Sequence, residues 1–596
     1  MTTATTMRGG EWLLGDVPAD AVFTREQLSD EHRLVEQTAV EFVTQEVAPA
    51  LPVLEQKNWR RARELVLRAG ELGLIGTDVP EHLGGVGLDK VAAIVVGEAI
   101  GPSASFATTF GAQTGLAIIP ILCFGTEAQQ QKYLPRIVSG EIVGAYCLSE
   151  SGSGSDALGA RARATRAPDG SWRLSGEKLW ITNGGFADVF IVFAKVDGEA
   201  FTAFIVERGF HGVTSGKEEH KLGLHGSSTT PLILQDAHVP AENLLGEIGR
   251  GHKIAFNVLN YGRFKLAAMC SGGARDTIGE AARYALSRRQ FGQPIAEFGA
   301  IRQKLADMTI AQYAVESMLY RTAGLIDATI GGRHEDSQAV AAALEEYAIE
   351  SSILKIAGSE MLDFVIDEDV QIHGGNGFVG DYLPERRYRD ARVNRIFEGT
   401  NEINRLIVPS QLVKRALKGG GSDRPRLELI AAAKAVQDEL LAPPAVAPAS
   451  SYTGPLADEG RAIEGMKKVA VATIGLAMQT HGERLAQEQE VLLRLSDIVM
   501  DTFAAESATL RAITAGAASH PLAAAHAAAA RVFTHDAALR VDANARTVLA
   551  ALATGDALRT WLAGLRRLLK IAPVDTITAR REVAALVVEK RGYPFN

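Results

Sequence analysis

The hydrophobic period of this chain changes twice, and that order of changes restricts the fold more than any other feature. From residue 25 to about residue 140, apolar positions recur at three-to-four spacing. Leu34, Val35, Thr38, Phe42 and Val43 form one such set, and Leu65, Val66, Ala69 and Leu72 another. That spacing lays an apolar stripe along a helix. From residue 141 to about residue 247 the segments are short, rich in Val, Ile, Phe and Thr, and separated by turns. Residues 160–165 alternate strictly, Pro168-Asp169-Gly170 supplies a turn, and residues 171–174 return as a hairpin partner. Residues 189–194, the turn Asp197-Gly198 and residues 201–206 repeat the arrangement, which predicts an antiparallel β unit. Helical spacing resumes near Gly251 and runs to Lys418, with long segments at 252–290, 295–331 and 336–374. The expected class is mainly α with a central β unit, in α–β–α order, followed by further helices.

At roughly 150 residues per domain, a chain of this length has room for about four units. The expected division is an N-terminal arm over 1–24, a helical domain over 25–140, an antiparallel β domain over 141–248, a second helical domain over 249–418 and an extra C-terminal helical domain over 425–596. Gly419-Gly420-Gly421-Ser422 reads as the linker before the last of these, and the proline-rich residues 443–448 as a break within it. Residues 101–126 carry no charge and are long enough to span a bilayer. They also contain two prolines, four glycines and many hydroxyls, so a buried helix pair broken near Pro120 is expected instead.

Composition removes several function classes. Lys and Arg total 62 against 71 for Asp and Glu, a net charge of −9, which argues against a nucleic-acid partner. Cys123, Cys147 and Cys270 lie far apart without a CxxC pair, as suits a reducing compartment. The first twenty residues lack an apolar stretch and turn acidic from Glu11, unlike a secretory or Arg-rich transit segment. With Ala and Arg plentiful, a bacterial cytoplasm is the expected location.

Two glycine patterns imitate a dinucleotide fingerprint: residues 375–380 match G-x-G-x-x-G, and residues 152–157 match its Ala variant. The fingerprint works only between a strand and the helix it opens. The first pattern follows a helical segment and runs into Asp381-Tyr382-Leu383-Pro384, which is not expected to open a helix with an apolar face. The second follows a strand at 143–149 but leads into the alternating Arg/Ala segment. His220 and His225 are spaced too far apart for one helical face, so no metal site is expected.

What remains are glycine- and hydroxyl-rich stretches whose backbone N–H groups suit a planar, phosphate-bearing cofactor. Residues 146–156 (YCLSESGSGSD), 178–185 (KLWITNGG), 288–292 (RRQFG), 371–377 (QIHGGNG) and 395–402 (RIFEGTNE) resemble, in order, the signatures of the acyl-CoA dehydrogenases. The resemblance covers roughly residues 25–418. Residues 259–264 (LNYGRF) and 487–507 are most similar to the very-long-chain members, which carry an extra helical C-terminal domain.

The resemblance implies an FAD enzyme that desaturates an acyl-CoA between its α- and β-carbons, giving a trans-2-enoyl-CoA. It places the catalytic base at Glu398; a subset of relatives keeps the base at the position that here is Gly262. An isolated glutamate would be read as a solvated surface residue, and only the surrounding motif argues otherwise. The base needs a raised pKa in a dry pocket, and the thioester oxygen needs donors, by resemblance the Glu398 N–H and a flavin ribityl hydroxyl. Flavin contacts are implied for Tyr146, Leu148, Ser149, Gly154, Ser155, Trp180, Ile181, Thr182, Thr400 and Glu402. Trp180 would cover one flavin face, with ordinary core at a strand end as the alternative. Substrate contacts are implied for Ser155, Asn260, Arg263, Phe397 and Gly399, against plain structural roles. Arg288, Phe291, Gln371 and Gly375 match positions that reach a neighbouring subunit's FAD, which implies a homo-oligomer, a dimer at least. Arg302 and Glu402 depart from the commoner amides.

Thr108 and Ala112 fall where medium-chain relatives place larger polar residues, so a deeper tunnel and a long-chain substrate are expected. Electrons would pass to an electron-transfer flavoprotein. The alternatives are an acyl-CoA oxidase handing electrons to oxygen, and a scaffold that keeps the fold. Leu558, Trp561, Leu562, Leu565, Leu568 and Leu569 form a stripe flanked by Arg559, Arg566, Arg567 and Lys570. It is read either as packing within its own domain or as peripheral membrane contact.

Overall fold

The computed structural model describes residues 7–418, 425–441, 452 and 454–596; the linker and the proline-rich break expected from the sequence lie outside them. The chain runs helices, sheet, helices, then a further helical layer. The first layer holds α1 (Asp30–Phe42), α2 (Ala48–Glu55), α3 (Trp59–Glu71), α4 (Lys90–Ile100), α5 (Ala104–Gly111), α6 (Ile118–Phe124) and α7 (Glu127–Val138). Side-chain caps set several starts. Ser29 accepts from the His32 N–H at 3.2 Å, Asp89 from Ala92 at 2.8 Å and Thr126 from Gln129 at 3.2 Å.

The break expected near Pro120 is not there. α5 continues through a wide π turn, Ala112–Ala117, into α6, and Pro120 falls in the first turn of α6, where the wide turn absorbs its missing N–H. The run Ala104–Phe124 is long and apolar enough to cross a membrane, yet 83% of its most apolar stretch is buried inside the protein.

The sheet comprises β1 (Gly144–Cys147), β2 (Arg163–Arg166), β3 (Trp172–Thr182), β4 (Val189–Val196), β5 (Ala200–Glu207), β6 (Val213–Ser215), β7 (Thr229–Val239) and β8 (Leu244–Leu245). Its order is β6-β7-β3-β2-β4-β5-β8, with β1 paired to β4. Both expected hairpins form, β2 with β3 and β4 with β5. The sheet is nevertheless mixed rather than antiparallel throughout, because β4 lies parallel to both β1 and β2.

The second helical layer is organised by α8 (Gly251–Ser287), whose 37 residues extend about 55 Å. Around it lie α9 (Gly299–Ile330), α10 (Ser337–Glu346), α11 (Ala348–His373), α12 (Leu383–Ala391) and α13 (Asn401–Lys418). The segment expected at 336–374 divides at Tyr347. α12 corrects another expectation: a helix does open at residues 381–384, with Pro384 in its first turn, where proline is favoured. Its buried residues are only Pro384, Asp390 and Ala391. The dinucleotide arrangement still fails there, because helix α11, not a strand, precedes the glycines.

The last layer is α14 (Leu429–Leu441), α15 (Ala457–His481), α16 (Gln489–Ala517), α17 (Ala523–Leu552), α18 (Gly555–Leu568) and α19 (Thr576–Lys590). It is joined to the body by buried ion pairs. Arg511 of α16 meets Glu316 of α9 at 2.7 Å and Glu26 at 2.6 Å, and Arg321 of α9 meets Glu506 at 2.9 Å. Trp12 from the N-terminal arm packs on Phe503, ring centroids 4.6 Å apart. In the α18 stripe Leu565 and Leu569 are buried, and Leu558, Trp561, Leu562 and Leu568 are half-buried against the core. Most of that stripe is therefore covered by its own domain.

Candidate active site

Glu398 sits on the turn between α12 and α13, in left-handed backbone at φ 58°, a conformation that costs a non-glycine residue energy and recurs at functional sites. Gly399 follows at φ 80°. The turn is held from two sides. Arg263 of α8 donates through Nε to the Glu398 carbonyl at 3.1 Å, and Asn404 Nδ2 donates to the Gly399 and Thr400 carbonyls at 2.9 and 3.0 Å. Thr400 caps α13 by accepting the Ile403 N–H at 3.2 Å.

Glu398 is half-buried, and its carboxylate Oε2, out of reach of solvent, has no hydrogen-bond partner among the described residues. Burial pushes its pKa from the usual range up to about 7, although the Arg263 and Lys355 charges oppose the rise. The same burial brings Arg263 down to about 10 and Lys355 down to about 8. Lys355 is held off the carboxylate by the Asn401 side chain at 2.6 Å, and Arg263 Nη1 donates to Asn260 Oδ1 at 3.2 Å. The Glu398 N–H meets no acceptor among the described residues. A Cβ on Gly262 would stand 2.7 Å from Glu398 Oε2, so the two alternative base positions converge on one point in space.

Glu398 and Phe397 open onto a cavity of about 110 Å³. Small residues dominate one wall: Gly101, Ala104, Ala107, Thr108, Gly111 and Ala112. Thr108 and Ala112 are thus cavity-lining residues. Leu266, Met269 and Cys270 of α8 face them, and Thr182 also reaches the cavity.

The sheet supplies the adjoining surface. Tyr146 lies near Glu398 and Arg263, and its buried hydroxyl has no partner. Leu148 is buried, and the Ser149 carbonyl accepts the Leu179 N–H at 2.9 Å, tying the end of β1 to β3. The β3–β7 register slips between Lys178 and Ile181, and Trp180 takes φ 56°; this bulge turns its indole outward, 59% exposed, while Ile181 stays buried. Trp180 is therefore not core. A Cβ on Gly152 or Gly154 would meet nothing within 4 Å, and Ser155 beside them is exposed. An orphaned hydroxyl, a projecting indole and open glycine backbone suit a planar ring with a polar edge.

The remaining expected contacts form a second cluster. Arg288 and Phe291 lie on a small hairpin beyond the end of α8, 25 residues and about 37 Å past Gly262 at Ser287. Phe291 is 93% exposed. Gln371 and Gly375, also exposed, lie beside that end, where Tyr284 stacks on His373 at 3.8 Å. Within one chain this cluster does not meet Glu398. Glu402 is exposed, and Arg302 is engaged locally by the Ala296 carbonyl and Glu297. Sequence reasoning missed Lys355 and Asn404; a lone lysine among Ile353, Leu354 and Ile356 was the available signal for the first.

Comparison with known proteins identifies the family. Acyl-CoA dehydrogenase family models match in chain order: the N-terminal domain over 29–141, the middle domain over 145–237, and C-terminal domains over 249–413 and 465–567. The chain belongs to the acyl-CoA dehydrogenase family, and is an enzyme of that family with the additional C-terminal domain. A Bacillus subtilis (strain 168) protein described as a probable acyl-CoA dehydrogenase is 45% identical over 596 residues, 99% of each chain. The human mitochondrial very long-chain specific acyl-CoA dehydrogenase is 38% identical over 500 residues, 80% of this chain and 72% of that one. The crystal structure of an acyl-CoA dehydrogenase complexed with FAD from Bacillus anthracis superposes with a TM-score of 0.94 at 45% identity, covering 98% and 99% of the two chains.

Proposed function

We propose that this enzyme is an FAD-dependent dehydrogenase of long-chain acyl-CoA thioesters, forming the trans-2-enoyl-CoA and passing electrons to an electron-transfer flavoprotein. The carrying observation is the Glu398 carboxylate, its Oε2 out of solvent and without a partner among the described residues, at the end of an apolar cavity. Glu398 removes the α-proton, and its elevated pKa matches that of a base working near neutrality. Its backbone N–H, free of other acceptors, is the chain's own donor to the thioester oxygen. Arg263 and Asn404 fix the loop, so that the base and this donor are aimed before substrate arrives. FAD, when bound, accepts the β-hydrogen as hydride.

Tyr146, Leu148, Ser149, Trp180, Ile181 and Thr182 would hold the flavin ring. The exposed cluster of Arg288, Phe291, Gln371 and Gly375 would serve the FAD of a second subunit, which makes the working unit a dimer or larger. Long-chain preference is supported by the small residues at 108, 111 and 112.

The test is steady-state turnover of acyl-CoAs of four to twenty carbons, with the product identified by mass spectrometry. Enoyl-CoA formation with an electron-transfer flavoprotein, and little oxygen uptake without it, is the expected result. Oxygen uptake at comparable rate would make the enzyme an oxidase.

A further inference from the structure

Toward the end away from Glu398 the acyl cavity is lined by Leu362 and Ile366 of α11, Leu362 lying against Gly273, and also by a charged side chain, Arg387. Gly262, Leu266, Met269, Gly273 and Thr277 line it from α8 at three-to-four spacing, along one helix face. Fifteen residues separate Gly262 from Thr277, about 22 Å along the axis. Glu398 marks the first end, pressed against Gly262. Arg387 of α12 stands at the other, in the cavity wall beside Thr277. Its guanidinium pairs with the Asp276 carboxylate and donates to Thr277 Oγ1 at 3.4 Å. The Arg387 side chain is 14% exposed and that of Asp276 39%, so the pair straddles the boundary between cavity and solvent.

We propose that the Arg387–Asp276 pair is a clasp across the distal end of the acyl cavity and sets the upper limit of chain length. This rests on the acyl-CoA reading above. An extended alkyl chain advances about 1.25 Å per carbon, from C–C bonds of about 1.52 Å at the tetrahedral angle. The span from Gly262 to Thr277 therefore holds about 18 carbons beyond the reacting pair. A longer chain must part the clasp or fold back. Ion pairs open to solvent are weak, so the clasp yields rather than forbids. Replacing Arg387 by alanine removes the barrier and leaves apolar room for a few more methylenes, each worth about fourfold in binding.

The experiment is a chain-length series from twelve to twenty-six carbons on the flavin-loaded enzyme, with kcat and KM measured separately. Wild type is expected to lose kcat/KM beyond about twenty carbons. Arg387→Ala should raise the ratio of kcat/KM for twenty-four over sixteen carbons at least tenfold, mainly through KM. Asp276→Ala, which lies outside the cavity lining, should move the ratio the same way by a smaller factor. A loss shared equally by all chain lengths would mean the pair only braces α12 against α8, and overturns the clasp. A selective loss of the longest substrates would mean Arg387 grips the chain, and overturns it too. A wild-type fall-off already at eight carbons refutes it, because the chain would never reach Arg387. Absence of turnover at every length instead contradicts the proposed function itself.

Discussion

Replacing Glu398 by glutamine should make the protein more stable, by an amount that depends on pH. The native carboxyl titrates at about 7 because it is buried, against about 4.5 for the same group exposed in the unfolded chain. A group whose native pKa is raised contributes stability that is present below the unfolded value and lost as pH climbs toward the native one. The unfolded carboxylate ionises first, while the native one must hold its proton. The span from 4.5 to about 7 corresponds to about 3 kcal/mol of lost stability, complete above pH 7. The amide carries no such penalty. Scanning calorimetry of wild type and Glu398→Gln, both loaded with flavin, should show nearly equal melting near pH 4.5. Above pH 7 the variant should melt higher by about 2–3 °C, if a chain of this length unfolds as one unit. A difference that stays constant across pH would refute the reasoning, since it would mean that the carboxylate is not held uncharged in the native site.

The same titration should appear in catalysis: kcat/KM rises with pH through an apparent pKa near 7, and a flat profile from pH 5 to 8 would contradict it. Gly262→Ala places a methyl 2.7 Å from the base, so kcat should fall at least a hundredfold while flavin content, read by absorbance, is unchanged. Ala112→Leu fills the cavity wall and should move the optimum to chains several carbons shorter; an unaltered chain-length profile argues against this wall as the acyl site. Glu506→Ala leaves Arg321 and Lys467 buried without their carboxylate, which should cost about 3–5 kcal/mol in denaturant unfolding. A cost below about 1 kcal/mol would mean that the Glu506 ion pairs add nothing to the hold of the C-terminal helices on the body.

Much of the fold is legible in the sequence because hydrophobic period reports directly on element type. The hairpins at 160–174 and 189–206 carry their own turns, so they form as expected. The parallel joins of β4 to β1 and β2 are not legible, since alternation tells which face is buried and not which strand lies alongside. Pro120 misleads because a wide π turn ahead of it removes the conflict, and no local signal announces that turn. Glu398 is legible only through its flanking residues; by itself it is one glutamate among many. Lys355 lies on α11, and its approach to Glu398 is decided by how α11 packs on α8; Asn404 is close in sequence and bonds the carbonyls of the same turn, yet nothing in the sequence singles it out. Arg387 is hidden for the same reason: nothing local distinguishes it from the other arginines of 386–392 until α12 brings it to the end of the cavity.

The central claim is that Glu398 is the base of an acyl-CoA desaturation. The most direct measurement is an anaerobic titration of the bound flavin's visible absorbance with acyl-CoAs of four to twenty carbons, for wild type and Glu398→Gln. Wild type should bleach, fastest with long chains, and the variant should bind flavin but not bleach. Bleaching of both alike would remove Glu398 from the chemistry, and bleaching of neither by any acyl-CoA would remove the substrate class.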